Sequence, residues 1–221
     1  MVVGRAHAPS VRARVATWAA GPSYRSGMDL EIRPLTGETW QALAALFEEG
    51  GDPRWCWCQF WRSTGFAGTA KEIAAQSRIR LEEQAHSSRA PGLVALTPDG
   101  TAVGWVSVGP REDFEHLERS RVRPRLDDVP VWAIVCFVVG KRARRQGVGA
   151  QLLDGAIAYA REQGAPALEA YPVDTSQGKP TGPTLYTGTL STFLRAGFHV
   201  ERQVESKQAT VVREIVRLDL R

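Results

Sequence analysis

The sequence predicts a mixed α/β fold in which a central sheet carries helices on both faces. Strand-like and helix-like segments alternate from residue 28 to the end of the chain. The longest apolar run, residues 131–139, has the length of a buried strand and is much shorter than a membrane span. The chain has 221 residues, of which 43% are hydrophobic and 24% charged, as is typical of one globular domain.

Hydrophobic periodicity predicts one strand, two helices and a hairpin in the first half of the chain. Thr39 is expected to cap the first helix, which ends before Gly50-Gly51. The second helix has apolar anchors at Ile73, Ile79 and Leu81. A short Asp-Gly turn joins the two strands of the hairpin. These elements cover residues 30–35, 39–49, 71–85, 93–96 and 103–108, with an irregular Trp- and Cys-rich loop at 52–68.

The second half alternates strands and helices after a long polar connection, residues 109–130. The segment 131–140 is apolar on both faces, as expected of a strand that helices cover on both sides. The last two segments alternate and predict another hairpin. The later elements are a helix at 148–164, a strand at 168–173, a loop at 174–183, a helix at 184–196, and hairpin strands at 198–206 and 210–220.

Positive charge is concentrated in an amino-terminal arm, residues 1–27. The chain carries 28 Lys and Arg against 24 Asp and Glu, and the arm holds four arginines and no acid, so the remainder is neutral. We therefore expect neither a nucleic-acid nor a membrane partner. We interpret the arm as a disordered or mis-started extension, with a transit peptide as the alternative, and 28–221 as one domain. Three cysteines suit a reducing cytoplasm.

A buried strand, a basic turn and a helix start with two glycines form the strongest chemical signal. The helix start exposes free backbone N–H groups and the positive end of its dipole, and Gly147 and Gly149 allow an anion to approach closely. The pattern predicts a phosphate or pyrophosphate site. Leu152 breaks the Rossmann fingerprint, and a Walker Gly-Lys-Ser/Thr is absent. The cations of the turn are Lys141, Arg142, Arg144 and Arg145.

The segment Arg144–Gly149 resembles the Arg/Gln-x-x-Gly-x-Gly/Ala signature of the GNAT superfamily of acyl-CoA-dependent N-acyltransferases. Gly197-Phe198 resembles a Gly-Phe pair that recurs in that family, and the order of elements is similar over 29–220. The resemblance implies a mostly antiparallel sheet of about six to seven strands. It also implies transfer of acetyl from acetyl-CoA, without a metal, to a primary amine of a small molecule or peptide by direct attack in a ternary complex.

The same resemblance implies the residues that hold acetyl-CoA. The pyrophosphate is expected on the N–H groups of residues 145–150, and the pantetheine arm along the end of the central strand, where an N–H binds the thioester carbonyl. The expected cofactor-binding residues are Phe137, Val138, Val139, Arg144, Arg145, Gln146, Gly147, Val148, Gly149 and Ala150. The oligomeric state is left open between a monomer and a homodimer.

The sequence indicates the general acid and the general base less clearly than the residues that hold acetyl-CoA. The family's frequent general-acid tyrosine corresponds to Phe193, which has no proton to donate, so a non-catalytic acyl-CoA-binding module is the alternative function. Tyr186, seven positions earlier on a similar helix face, is the candidate acid, or else it only packs at the helix start. Asp174 is the candidate base, or else it caps the next loop residues. Glu169 is the other carboxylate, or else it pairs with an arginine; water can also relay the proton.

The Trp- and Cys-rich loop is expected to border the acceptor. Trp55 and Trp57 are the candidate substrate-binding residues, as apolar walls or as partners for a cation. The equal alternative is that these tryptophans fill the core. Cys56 and Cys58 have too few further ligands for a zinc site. The acidic first half of the 109–130 connection is a candidate to attract an amine, although a solvated loop is the more frequent explanation.

Overall fold

A computed structural model of the chain describes residues 28–176, 182–204 and 212–221. The expectation of a disordered or mis-started extension concerns residues 1–27, which lie outside the described residues. Within the described ranges, no helix is long and apolar enough to cross a membrane.

Eight strands form one mixed sheet. The strands are β1 (Glu31–Pro34), β2 (Gly92–Leu96), β3 (Ala102–Pro110), β4 (Trp132–Val139), β5 (Ala167–Ala170), β6 (Val173–Asp174), β7 (His199–Val204) and β8 (Val212–Asp219). The order is β1-β2-β3-β4-β5-β8, with β6 and β7 also paired to β8. Every pair is antiparallel except β4 with β5. This confirms the predicted sheet, and the additional short strand β6 continues β5 along β8.

Helices cover both faces of the sheet, as predicted. They are α1 (Trp40–Glu48), α2 (Pro53–Cys56), α3 (Ala70–Ala85), α4 (Glu115–Glu118), α5 (Val148–Glu162) and α6 (Leu190–Arg195). One apolar cluster joins α1 and α3 to the sheet, and a second joins α5 and α6 to the opposite face. Thr39 stands at the N-cap of α1, but its hydroxyl bonds the Pro34 carbonyl at 3.0 Å instead of capping the helix.

Two predicted helices differ from expectation. In α3, Leu81 is buried while Ile79 is 54% exposed, so Ile79 is not an apolar anchor. The helix predicted at 184–196 is broken into a 3₁₀ turn, Gly182–Thr187, and α6. Gly188 separates them with a φ of +81°, which disfavours any other residue. Tyr186 and Phe193 therefore do not share a helix face, contrary to the prediction.

A buried cluster of charges lies beside the parallel pair of strands. Arg111 is 2% exposed and donates hydrogen bonds to Glu118 at 2.7 Å and to Glu169 at 3.1 Å. Glu169, on β5, is 1% exposed and also accepts from Arg217 at 2.8 Å. Glu169 is thus the carboxylate that both arginines share, while Glu118 is a second anionic partner of Arg111 and Asp127 a second partner of Arg217.

Replacing Glu169 by Gln is expected to lower the free energy of unfolding by about 3 kcal/mol, because two buried cations lose their shared anion. Chemical denaturation at neutral pH measures this loss. Glu38→Gln is the control, because Glu38 forms an exposed pair with Arg33 at 3.0 Å and should cost less than about 1 kcal/mol. Equal, small losses in the two variants would contradict the assignment.

Candidate active site

The sheet opens between β4 and β5. The two strands pair only from Trp132 to Ile134, after which β4 continues to Val139 beside β3 alone in the part of the chain described. A later segment enters the gap: the Val173 N–H donates to the Gly188 carbonyl at 3.0 Å, and the 3₁₀ turn 182–187 packs against β4. The end of β4 therefore has an edge without a strand partner, next to two cavities.

The first cavity is a basic groove of about 480 Å³ at the start of α5. It is lined by Phe137, Val139, Ala143, Arg144, Arg145, Gly147, Val148, Gly149, Ala150, Leu185, Gly188, Thr189, Thr192, Phe193 and Arg195. Eight of the ten predicted cofactor-binding residues meet here. Of the other two, Val138 points to the opposite face of β4, and Gln146 braces the basic turn by donating to the Arg142 carbonyl at 2.7 Å.

The backbone of the basic groove leaves room for an anion. Gly147 stands at the N-cap of α5 with a φ of +83°, and Arg145 has the unusual φ of +63°. A Cβ on Gly149 would meet no atom within 4 Å, so the helix start is open on that side. The Arg144 Nε donates to the Val139 carbonyl at 3.3 Å, which ties a cation to the end of β4. The groove fits a phosphate or pyrophosphate group.

The second cavity is an apolar cavity of about 430 Å³ on the other face of β4. Its lining residues are Asp52, Pro53, Cys56, Cys58, Phe60, Trp61, Arg123, Cys136, Val138, Tyr186, Thr187 and Arg213. Successive side chains of a strand point to opposite faces, so Phe137 and Val139 face the groove while Cys136 and Val138 face the cavity. The 3₁₀ turn lines both, with Leu185 in the groove and Tyr186 in the cavity.

Tyr186 lines the apolar cavity with a partly buried phenol. Burial, together with the negative charge of Asp52, raises the pKa of the Tyr186 phenol to about 12, against a smaller opposing effect of Arg144. The phenol therefore keeps its proton throughout the neutral range. Its position depends on the 3₁₀ turn rather than on the continuous helix that the sequence predicted.

The two predicted carboxylates do not reach the apolar cavity. Asp174 is absent from the lining of both cavities, and its Oδ1 accepts from the backbone N–H of Ser176 at 2.9 Å. Glu169 is fixed in the buried charge cluster. The acidic residue that does line the cavity is Asp52, which the sequence analysis missed because it lies in a glycine-rich turn without periodicity.

Trp55 and Trp57 do not line the apolar cavity, and Trp57 follows the alternative in which it fills the core. Trp57 is 3% exposed and packs in the core against Trp40, with ring centroids 5.9 Å apart. Trp55 is exposed and lies outside the cavity lining. Trp57 and the next residue, Cys58, have φ of 43° and 52°, a turn that sends the indole inward and the thiol to the cavity. Phe60 and Trp61 supply the aromatic lining instead.

The three cysteines all line the apolar cavity. The Sγ atoms of Cys58 and Cys136 are 3.5 Å apart, and the Trp105 Nε1–H donates to the Cys58 sulfur at 3.1 Å. Hydrogen bonding between thiols and burial raise the pKa of Cys56 and Cys58, so both stay protonated at neutral pH. Among the residues that the structure describes, no group of three or more His, Cys, Asp and Glu is arranged to hold a metal ion.

Two comparisons identify relatives of this chain. The profile of the Acetyltransferase (GNAT) family matches residues 41–178, more than half of the sequence. A GCN5-related N-acetyltransferase from Kribbella flavida has 20% identity and a TM-score of 0.52, over 86% of this chain and 98% of that one. A GNAT-family acetyltransferase from Streptococcus pneumoniae has 18% identity and a TM-score of 0.47, over 87% of this chain and 99% of its own.

A comparison with curated proteins found no match. The Kribbella flavida structure supports the fold, and the family profile covers the strand, basic turn and helix start that form the groove. The chain therefore belongs to the GNAT family of acetyltransferases and is an acyltransferase.

Proposed function

We propose that this protein transfers an acetyl group from acetyl-CoA to a primary amine of a small molecule or peptide. One observation carries the proposal: the basic groove and the apolar cavity lie on the two faces of the end of β4, beyond the last residue that β5 pairs with. Acetyl-CoA supplies an activated acetyl thioester, and the amine attacks its carbonyl directly. Binding both reactants on either side of one strand brings them together without a covalent enzyme intermediate.

The groove residues bind the donor. The N–H groups at the start of α5, with Arg144 and Arg145, hold the pyrophosphate. The backbone of residues 137–139 runs beside the thioester, and an N–H on its free edge donates to the carbonyl oxygen. That hydrogen bond strengthens as negative charge develops on the oxygen during attack.

Tyr186 acts as the general acid and Asp52 is the candidate general base. When the carbon–sulfur bond breaks, the Tyr186 hydroxyl donates its proton to the departing sulfur. Asp52, or a water molecule, accepts the proton that the amine loses. The position of Tyr186 in the apolar cavity favours catalysis over the alternative of a non-catalytic acyl-CoA-binding module, which was suggested by Phe193.

Gly149→Leu tests the donor site. The new side chain enters open space in the groove, and Leu is a better helix former than Gly, so the fold should keep or gain stability. Acetyl-CoA should raise the melting temperature of the native protein, and its affinity should fall about tenfold or more in the variant. Isothermal titration calorimetry measures both affinities.

Gly65→Leu is the matched control, because a side chain at Gly65 also meets open space and that residue lines neither cavity. Its acetyl-CoA affinity should equal that of the unmodified protein. Unchanged affinity in the Gly149 variant would place the donor elsewhere. Gly147 is unsuitable for this test because its positive φ would strain any substituent.

Tyr186→Phe tests the proton donor. The change removes only the hydroxyl, and kcat should fall by about 100-fold while acetyl-CoA affinity stays the same. Tyr159→Phe is the control, because the Tyr159 hydroxyl bonds the Ala90 carbonyl at 3.3 Å and the residue lines neither cavity. A loss of less than about threefold for Tyr186→Phe would remove Tyr186 from the mechanism.

The pH dependence of kcat gives a separate test. An acid must be protonated to act, and the pKa of Tyr186 is raised to about 12, so its loss of the proton lies above the usual range of phenols. The rate should show no alkaline decline between about pH 8 and pH 10. An alkaline decline in that range that disappears in Tyr186→Phe would contradict the assigned protonation state.

A further inference from the structure

Two arginines in the apolar cavity have no anionic partner among the residues that the structure describes. The Arg123 guanidinium lies 5.1 Å from the Trp61 ring centroid, and its Nε is buried without a hydrogen-bond partner. Arg213 Nη1 donates to the Thr187 hydroxyl at 2.8 Å. Neither arginine forms an ion pair with a carboxylate of residues 28–176, 182–204 or 212–221.

Other shielded arginines of this protein are compensated. Arg111 and Arg217 share Glu169, and the Arg62 guanidinium lies 3.8 Å from Asp113. Burial, together with the nearby charge of Arg213, lowers the pKa of Arg123 to about 10, and burial also lowers the pKa of Arg213. Both remain cationic at neutral pH. Two desolvated like charges in one cavity are unfavourable unless an anion joins them.

We propose that the acceptor carries an anionic oxygen group, a carboxylate or a phosphonate, in addition to its primary amine. This inference rests on the proposed acetyl transfer and specifies its acceptor. Arg123 and Arg213 bind the anion by charge-assisted hydrogen bonds. The amine then lies toward Asp52 and Tyr186, which line the same cavity.

The remaining lining indicates an apolar body between the two charged groups. Phe60 and Trp61 contact each other edge to face, with centroids 5.0 Å apart, and Val138 closes the cavity at β4. A volume of about 430 Å³ is in the range of small-molecule sites. A compound of amino-acid size, with an amine and an anion on an apolar body, matches this arrangement of one carboxylate, two cations and an aromatic wall.

The anion is distinct from the phosphates of the donor. The basic groove has its own cations in Arg144, Arg145 and Arg195, and it lies on the other face of β4. Arg123 and Arg213 line only the apolar cavity. Their replacement should therefore change the use of the acceptor and leave acetyl-CoA affinity intact.

Matched acceptors test the inference. Thiol release from acetyl-CoA is followed with L-phenylalanine, with 1-amino-2-phenylethylphosphonate, and with phenethylamine and L-phenylalaninamide, which lack the anion. The better substrate of the two compounds that carry an anion should have a kcat/KM at least about tenfold above that of both amines without one. The comparison of carboxylate with phosphonate identifies the preferred anion.

Variants assign the preference to the arginine pair. Arg213→Gln and Arg123→Gln should each raise KM for the preferred amine with an anion about tenfold or more. The KM of the amines without an anion should change by less than about twofold. Gln retains a donor toward Thr187 at position 213. Arg121→Gln is the control, because Arg121 is exposed and lines neither cavity, and it should behave as the unmodified protein.

A readout that needs no turnover accompanies the kinetics. 3-Phenylpropionate carries the anion but no amine, and it should raise the melting temperature of the unmodified protein and not that of Arg213→Gln. The inference would be overturned, and acetyl transfer would stand, if the amines without an anion had the same kcat/KM as those with one. Loss of acetyl-CoA affinity in the arginine variants would have the same consequence. Intact acetyl-CoA binding without turnover of any amine would overturn the proposed function, and this inference with it.

Discussion

The separation of β4 from its parallel neighbour is the constraint on which the site depends. β5 ends at Ala170, and Pro172 has no N–H for the ladder to β8, so the chain resumes pairing only at β6. By then the returning segment 182–189 has taken the place beside β4, held by the bond from Val173 to Gly188. A sheet that paired continuously here would have no free strand edge and no pair of cavities.

The buried charge cluster connects this opening to the apolar cavity. Glu169 is opposite Ala133, one residue before the last pair of the β4–β5 ladder. Arg111, which Glu169 compensates, also donates to the Arg123 carbonyl at 2.6 Å. This hydrogen bond fixes the polar connection after β3 at Arg123, whose side chain lines the apolar cavity. Burying these charges has a desolvation cost, and the arrangement offsets it with hydrogen bonds that also fix the connection after β3.

The sequence predicted the groove well because its signals are local. A strand, a basic turn and a helix start lie within residues 131–164, and each has its own periodicity or glycine pattern. The apolar cavity could not be predicted in this way. Gly188 sits inside a helix-like pattern, and only its positive φ in the folded chain shows the break that positions Tyr186. Arg123 and Arg213 are far apart in sequence, and the sheet brings them together.

The two halves of the site are therefore encoded differently. The groove proposed for the donor is formed mainly by one continuous strand–turn–helix unit that offers backbone amides and solvent-accessible cations. The cavity proposed for the acceptor is lined by separate segments, namely the loop after α1, the connection after β3, the 3₁₀ turn and β8. Changes in those segments can alter the charge and shape of the apolar cavity while β4 and the start of α5 stay as they are. This division gives a physical reason why a site for the proposed donor can be predicted from sequence, whereas the proposed acceptor has to be inferred from the charges of the folded cavity that have no partner among the described residues.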